Sequence, residues 1–177
     1  MEHMFGHVVL GVDPGLTRCG YAVLSMTSSR DVSAMAIGVI RTPATSPLHE
    51  RLADLHNEID SLIAEYRPSA VAIEQVFFQN NVRTAMSVGQ ASGIVLALAS
   101  RAGCQVEQYT PSQVKNAVAG WGGATKDQIG RMVQQRLSLA SVPEPADAAD
   151  AAAIALCHCA MAPFVASRAA ALNRARS

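Results

Sequence analysis

The order of apolar runs along this chain constrains its fold more than any other feature. Three strand-like runs come first, His7 to Asp13, Cys19 to Met26 and Ser33 to Thr42, and their short connections suit an antiparallel meander. Between Pro47 and Arg67 the apolar residues Leu48, Leu52, Leu55, Ile59, Leu62 and Ile63 recur at helical spacing. Pro68 sets the stop, because the residue before a proline disfavours helix. A helix over about Val82 to Arg101 then separates two further strand runs, Ser69 to Phe77 and Cys104 to Tyr109. Thr110-Pro111-Ser112 opens another helical segment, which Trp121-Gly122-Gly123 breaks. Thr125 starts a helix that fades near Ser141, and Pro143 to Ala146 leads into the last one. Three antiparallel strands followed by alternating helix and strand predict an α/β fold, a mixed five-stranded sheet flanked by helices. The 177 residues show no repeat and suit one domain, with the Ala- and Arg-rich tail after Phe164 expected to fray.

Four carboxylates in this frame have little structural employment. Asp13 closes the run His7-Val-Val-Leu-Gly-Val-Asp13 just before Pro14-Gly15, at a strand end where loops and ligands meet in layered α/β folds. Glu74 sits in the strand-forming run from Ser69 to Phe77, where an unpaired charge would cost several kcal/mol, so it needs a cation or water nearby. Asp147 and Asp150 open an Ala-rich helix; their i, i+3 spacing puts them on one face, roughly 4.5 Å apart along the axis. Plain structural roles compete. Asp13 suits a turn, Asp147 an N-cap and Asp150 a helix dipole, whereas neither strand propensity nor turn chemistry accounts for Glu74.

Charge and cysteine usage bound the function classes. No apolar run reaches the roughly 20 residues that span a bilayer, and the N-terminus has no basic stretch before an apolar core, so a soluble cytoplasmic protein is expected. The formal charge is zero, yet from Asn80 to Val142 Arg83, Arg101, Lys115, Lys126, Arg131 and Arg136 face only Glu107 and Asp127, a local net of +4. A basic side suited to phosphate is compatible with that distribution. Cys19, Cys104, Cys157 and Cys159 lack metal-ligand spacing: neighbours on a helix such as Cys157-His158-Cys159 diverge, so buried thiols in a reducing compartment are predicted.

Oxygen-only acids suit Mg²⁺ or Mn²⁺, and two such ions roughly 4 Å apart can activate water and stabilise a leaving oxygen in phosphodiester hydrolysis. None of the five histidines has the neighbours of a Ser-His-Asp set. The residues alone therefore point to a metal-dependent phosphoryl-transfer enzyme, without choosing DNA over RNA. Five segments in series do more. Gly11-Val-Asp13-Pro-Gly15-Leu-Thr-Arg-Cys-Gly20-Tyr, Ala72-Ile-Glu74-Gln-Val-Phe77, Gly89-Gln-Ala-Ser-Gly93, Pro111-Ser-Gln-Val-Lys115 and Ala146-Asp147-Ala-Ala-Asp150-Ala closely resemble the RuvC family of bacterial Holliday-junction resolvases.

That resemblance implies an RNase H-like fold, a homodimer, paired nicking of four-way junction DNA in recombination and repair, and a RuvA-RuvB-type branch-migration partner. The family's catalytic, metal-binding acids fall on Asp13, Glu74, Asp147 and Asp150; some relatives carry His at the position of Asp147. Phe77 matches an aromatic that the family places near the junction centre, with Phe78 beside it as the competing ring. Lys115 and Lys126 match basic positions linked to phosphate contact or catalysis, and Arg83 is a further candidate for DNA contact. Two other classes stay open at this point. Asp13-Pro-Gly15-Leu-Thr17 looks like the phosphate loop of actin-like ATPases and sugar kinases, although their second lobe is lacking, and a non-catalytic junction-binding module would need an incomplete acid set.

Overall fold

The computed structural model describes residues 7–28, 31–75 and 82–176, with side chains placed for 7–28, 31–75 and 85–163. Strands β1 (His7–Asp13), β2 (Arg18–Ser28) and β3 (Asp31–Arg41) form the expected antiparallel meander. Helix α1 (Leu48–Tyr66) leads to β4 (Ala70–Glu74), and α2 (Val82–Arg101) to β5 (Gln105–Tyr109). Both strands add in parallel to the β1 edge, giving the order β3-β2-β1-β4-β5. Helices α3 (Pro111–Ala119), α4 (Lys126–Arg136) and α5 (Ala146–Arg176) complete the chain. The α/β reading, the mixed sheet and the element order all hold. Helix α4 stops earlier than its sequence suggests, because Ser138 turns into the left-handed region at φ 51°.

Strand alternation divides the core. Leu10, Val12, Val23, Val71 and Ile73 pack with Leu55, Ile59, Val95 and Leu98 on the α1–α2 face. Val9, Ala22, Leu24 and Ala72 pack under α5, α3 and α4. Because side chains alternate with a period of two, Asp13 shares the α5 face with Val9 and Gly11, and Glu74 shares it with Ala72. Val12 pairs with Ile73 in the parallel register, so the two acids end neighbouring strands side by side.

Helix α5 lies on that face unusually closely, and small residues on both sides permit it. Ala148, Ala151, Ala152 and Ala155 are buried. A Cβ on Gly11 would fall 2.5 Å from the Ala151 carbonyl oxygen, and one on Gly20 only 1.9 Å from that of Asp147. Deeper along α5, His158 is buried and shares a 2.9 Å hydrogen bond with the Tyr109 hydroxyl; burial pushes its pKa down, which makes it a packing residue. Cys19, Cys157 and Cys159 are buried free thiols as expected, while Cys104 is only partly covered.

On α2, Ala85, Ala91, Val95 and Ala99 face the core. Gly89 and Gly93 do not: a Cβ on either would meet nothing within 4 Å, so tight packing on the sheet does not explain them. No helix among the described residues is long and apolar enough to cross a membrane.

Candidate active site

All four acids arrive at one end of the sheet. Asp13 comes from the end of β1 and Glu74 from the end of β4; Asp147 and Asp150 come from the first turns of α5, where the Gly20–Asp147 contact presses the helix onto the strand pair. Asp13 is the Cα partner of Gly20, so the backbone that receives α5 is directly across from the first acid.

The electrostatics register this crowding. Burial, then the charges of Glu74, Asp150 and Asp147, push the Asp13 carboxyl up to about 7, against a pull downward from Lys126. Glu74 is also raised, by burial and Asp150, while Lys126 and a hydrogen bond from Asp13 work the other way. A carboxyl that titrates near neutrality among three other acids marks a functional site more often than a structural one.

Two cations of the chain answer the other two acids. Lys126 Nζ donates to Asp150 Oδ2 at 2.8 Å, and that bond raises the lysine's pKa. Arg18 Nε lies 3.2 Å from Asp147 Oδ2. Lys126 is placed by local chemistry: Thr125 caps α4 in a capping box with Gln128, which fixes the first helical residue beside α5. A matching box of Thr110 with Gln113 opens α3 and sets Lys115 one turn in. Lys115, Lys126, Glu74 and Asp150 then line one cavity of about 140 Å³.

Among the described residues no three acid, His or Cys side chains already converge enough to hold one metal ion. Lys126 pairs with Asp150 and Arg18 with Asp147, so two of the four acids have a counterion within the chain. The donor chemistry nevertheless fits a hard divalent cation: four carboxylates share one sheet end, and their mutual repulsion already shows in Asp13.

Comparison with known proteins fixes the family. The model of the family "Crossover junction endodeoxyribonuclease RuvC" matches residues 9–158, most of the chain. The chain belongs to the RuvC family. A RuvC of Rhodococcus opacus is 52% identical over 157 residues, 89% of this chain and 83% of that protein. One from Heliobacterium modesticaldum is 48% identical over 150 residues, 85% of this chain and 92% of the relative. The RuvC of Thermus thermophilus in complex with its Holliday junction substrate superposes with a TM-score of 0.85 at 38% identity, over 89% of this chain and 96% of the other. The RNase H-like, RuvC-type architecture is thereby established.

Of the residues named from sequence, the structure brings together Asp13, Glu74, Asp147, Asp150, Lys115 and Lys126. Phe77 and Phe78 fall outside the described residues, as does the side chain of Arg83. Arg101, at the far end of α2, pairs with Asp60 at 2.6 Å. Sequence reasoning missed Arg18. A count of basic residues along a window cannot see it; its position within Gly15-Leu-Thr-Arg18, immediately after the Asp13 turn, was the available signal.

Proposed function

We propose that this RuvC-family chain resolves four-way DNA junctions by paired, symmetric nicking, with Mg²⁺ or Mn²⁺ held by Asp13, Glu74, Asp147 and Asp150, two ions per site. The observation that carries the reading is the gathering of those four acids and two lysines at one sheet end, in a chain whose family is crossover junction endodeoxyribonuclease. Bound ions would supply charge neutralisation at the scissile phosphate and activation of the attacking water.

The chain's own part follows from the geometry. Asp13 has to release its proton before it can serve as a ligand, which its pKa of about 7 permits near neutrality. Glu74, already accepting from Asp13, is the neighbouring carboxylate that keeps the pair in place. Lys126 bonds to Asp150 at the cavity that Lys115 also lines, which sets two basic side chains beside the acids for a phosphodiester to meet.

Symmetric nicking needs two sites, and a homodimer supplies them. The open Gly89 and Gly93 positions on α2 offer a face on which a second backbone could approach closely. Phe77 stacking at the junction centre, DNA contact by Arg83, cooperation with a RuvA-RuvB-type branch-migration complex and action in the cytoplasm complete the proposal.

The metal assignment has a direct test. Calorimetric titration of metal-free protein with Mg²⁺ or Mn²⁺ should show binding that weakens at least about tenfold in Glu74→Gln and Asp150→Asn. Both variants should keep junction binding in the absence of metal. Unchanged metal affinity in both would remove these acids from the metal site.

A further inference from the structure

At the end of the sheet that carries the acids, on its β2–β3 side, lies a second cleft, of about 450 Å³, lined by Thr17, Arg18, Arg41, Thr42, Pro43 and Ala44. Arg18 and Arg41 are direct Cα partners across the β2–β3 ladder, so two basic residues line one cleft although 23 positions separate them in the sequence. No carboxylate lines the cleft. Among the described residues Arg41 has no salt-bridge partner, and Arg18 has only Asp147.

The cleft's wall is built rather than incidental. From the first turn of α1, Arg51 donates through Nε to Thr42 Oγ1 at 3.0 Å and through Nη2 to Thr17 Oγ1 at 2.8 Å. Thr42 is buried, and its own hydroxyl donates to the Leu16 carbonyl at 2.5 Å. Gly15 makes the approach possible, since a Cβ there would lie 2.1 Å from the Arg18 carbonyl oxygen. Arg51 is thus held by neutral hydroxyls, which leaves the Thr17 hydroxyl free to donate. Two guanidinium groups, a hydroxyl donor and a third positive charge behind them match an anionic oxygen cluster. Arg41 also borders a second groove, which Asp54 and Glu58 of α1 line.

We propose that this cleft binds a backbone phosphate of the junction strand that runs over the β2–β3 end of the sheet toward the acids, with Arg41 and Arg18 as its principal contacts. The proposal rests on the junction-cleaving reading above and adds a positioning site to it. Arg18 links the two regions, because the same guanidinium borders the cleft and bonds to Asp147.

Arg41 is the residue to change, since it borders the cleft without bonding to any site acid. In metal-free binding titrations with a synthetic four-way junction, Arg41→Gln should weaken affinity about 3- to 10-fold and lower the slope of log affinity against log salt by about one. Arg41→Lys should recover most of that slope, because charge rather than fork geometry sets it. Arg101→Gln removes the same charge from the far end of α2 and should leave both quantities at the wild-type value. Melting temperatures of all variants identify any that fail to fold; if Arg41→Gln does, Arg41→Met takes its place with the same expected loss of affinity and slope. Wild-type affinity and slope in a folded Arg41→Gln, or an equal loss in Arg101→Gln, would overturn the cleft assignment while leaving junction cleavage intact. Failure of the wild-type chain to bind the junction at all would overturn both, and that outcome is recognisable because it precedes any variant.

Discussion

Asp13→Asn should abolish junction cleavage, by at least about a thousandfold, corresponding to about 4 kcal/mol of transition-state stabilisation, while making the metal-free protein more stable at pH 8. The opposite signs on activity and stability follow from the site geometry, which crowds acids that the reaction needs and the metal-free fold does not. The wild-type carboxyl is buried among three other acids and titrates at about 7, against roughly 4 in the unfolded chain. Between those values the native state holds a proton that the unfolded state has lost, so metal-free stability falls as pH rises through the window and the penalty is complete above it. An amide at this position carries no charge and can still donate to Glu74. The gain from Asp13→Asn should therefore be near zero at pH 4 and reach on the order of 2–4 kcal/mol at pH 8. Thermal melts in chelator across pH 4 to 8 measure it. A variant that loses stability at pH 8 would show that the Asp13 charge is compensated in the metal-free state.

Gly20→Ala should cost about 3 kcal/mol and lower the melting temperature by roughly 6–12 °C. The added methyl carbon would sit 1.9 Å from the Asp147 carbonyl oxygen and 2.6 Å from its carbon, and backbone cannot rotate out of the way as a side chain can. Helix α5 has to lift at the turn that carries Asp147 and Asp150. A displacement of about 1 Å there is enough to reduce cleavage on the order of a hundredfold. Melting and cleavage measured on the same preparation test the coupling. A Gly20→Ala protein with wild-type stability would mean that α5 does not rest on β2 as closely as described.

Much of this site was legible in the chain because it rests on local rules. The runs ending at Asp13 and Glu74 have strand periodicity, and the alternation that buries Val9 and Ala72 also aims both acids at α5. The i, i+3 spacing of Asp147 and Asp150 needed only a helix. What sequence could not supply was contact across elements. Arg18 meets Asp147 from a different strand end, and Arg18 meets Arg41 only through the β2–β3 register. The glycines that seat α5 were visible as letters, but their role depends on which helix covers them. Gly11 and Gly20 face α5, whereas Gly89 and Gly93 face open space. The basic count over Asn80 to Val142 was similarly blind: it included Arg101, which Asp60 engages, and passed over Arg18, which bonds to Asp147, and Arg41 beside it.

The role proposed for the four acids is metal-dependent cutting of branched DNA. Purified protein should be given a four-way junction, a linear duplex of the same sequence and an RNA–DNA hybrid, each with Mg²⁺ or Mn²⁺ and with chelator. The expected result is paired nicks at symmetric positions in the junction, present only with metal, and little or no cleavage of the duplex or the hybrid. Equal cleavage of all three, preference for the hybrid, or an intact junction accompanied by ATP hydrolysis would contradict it.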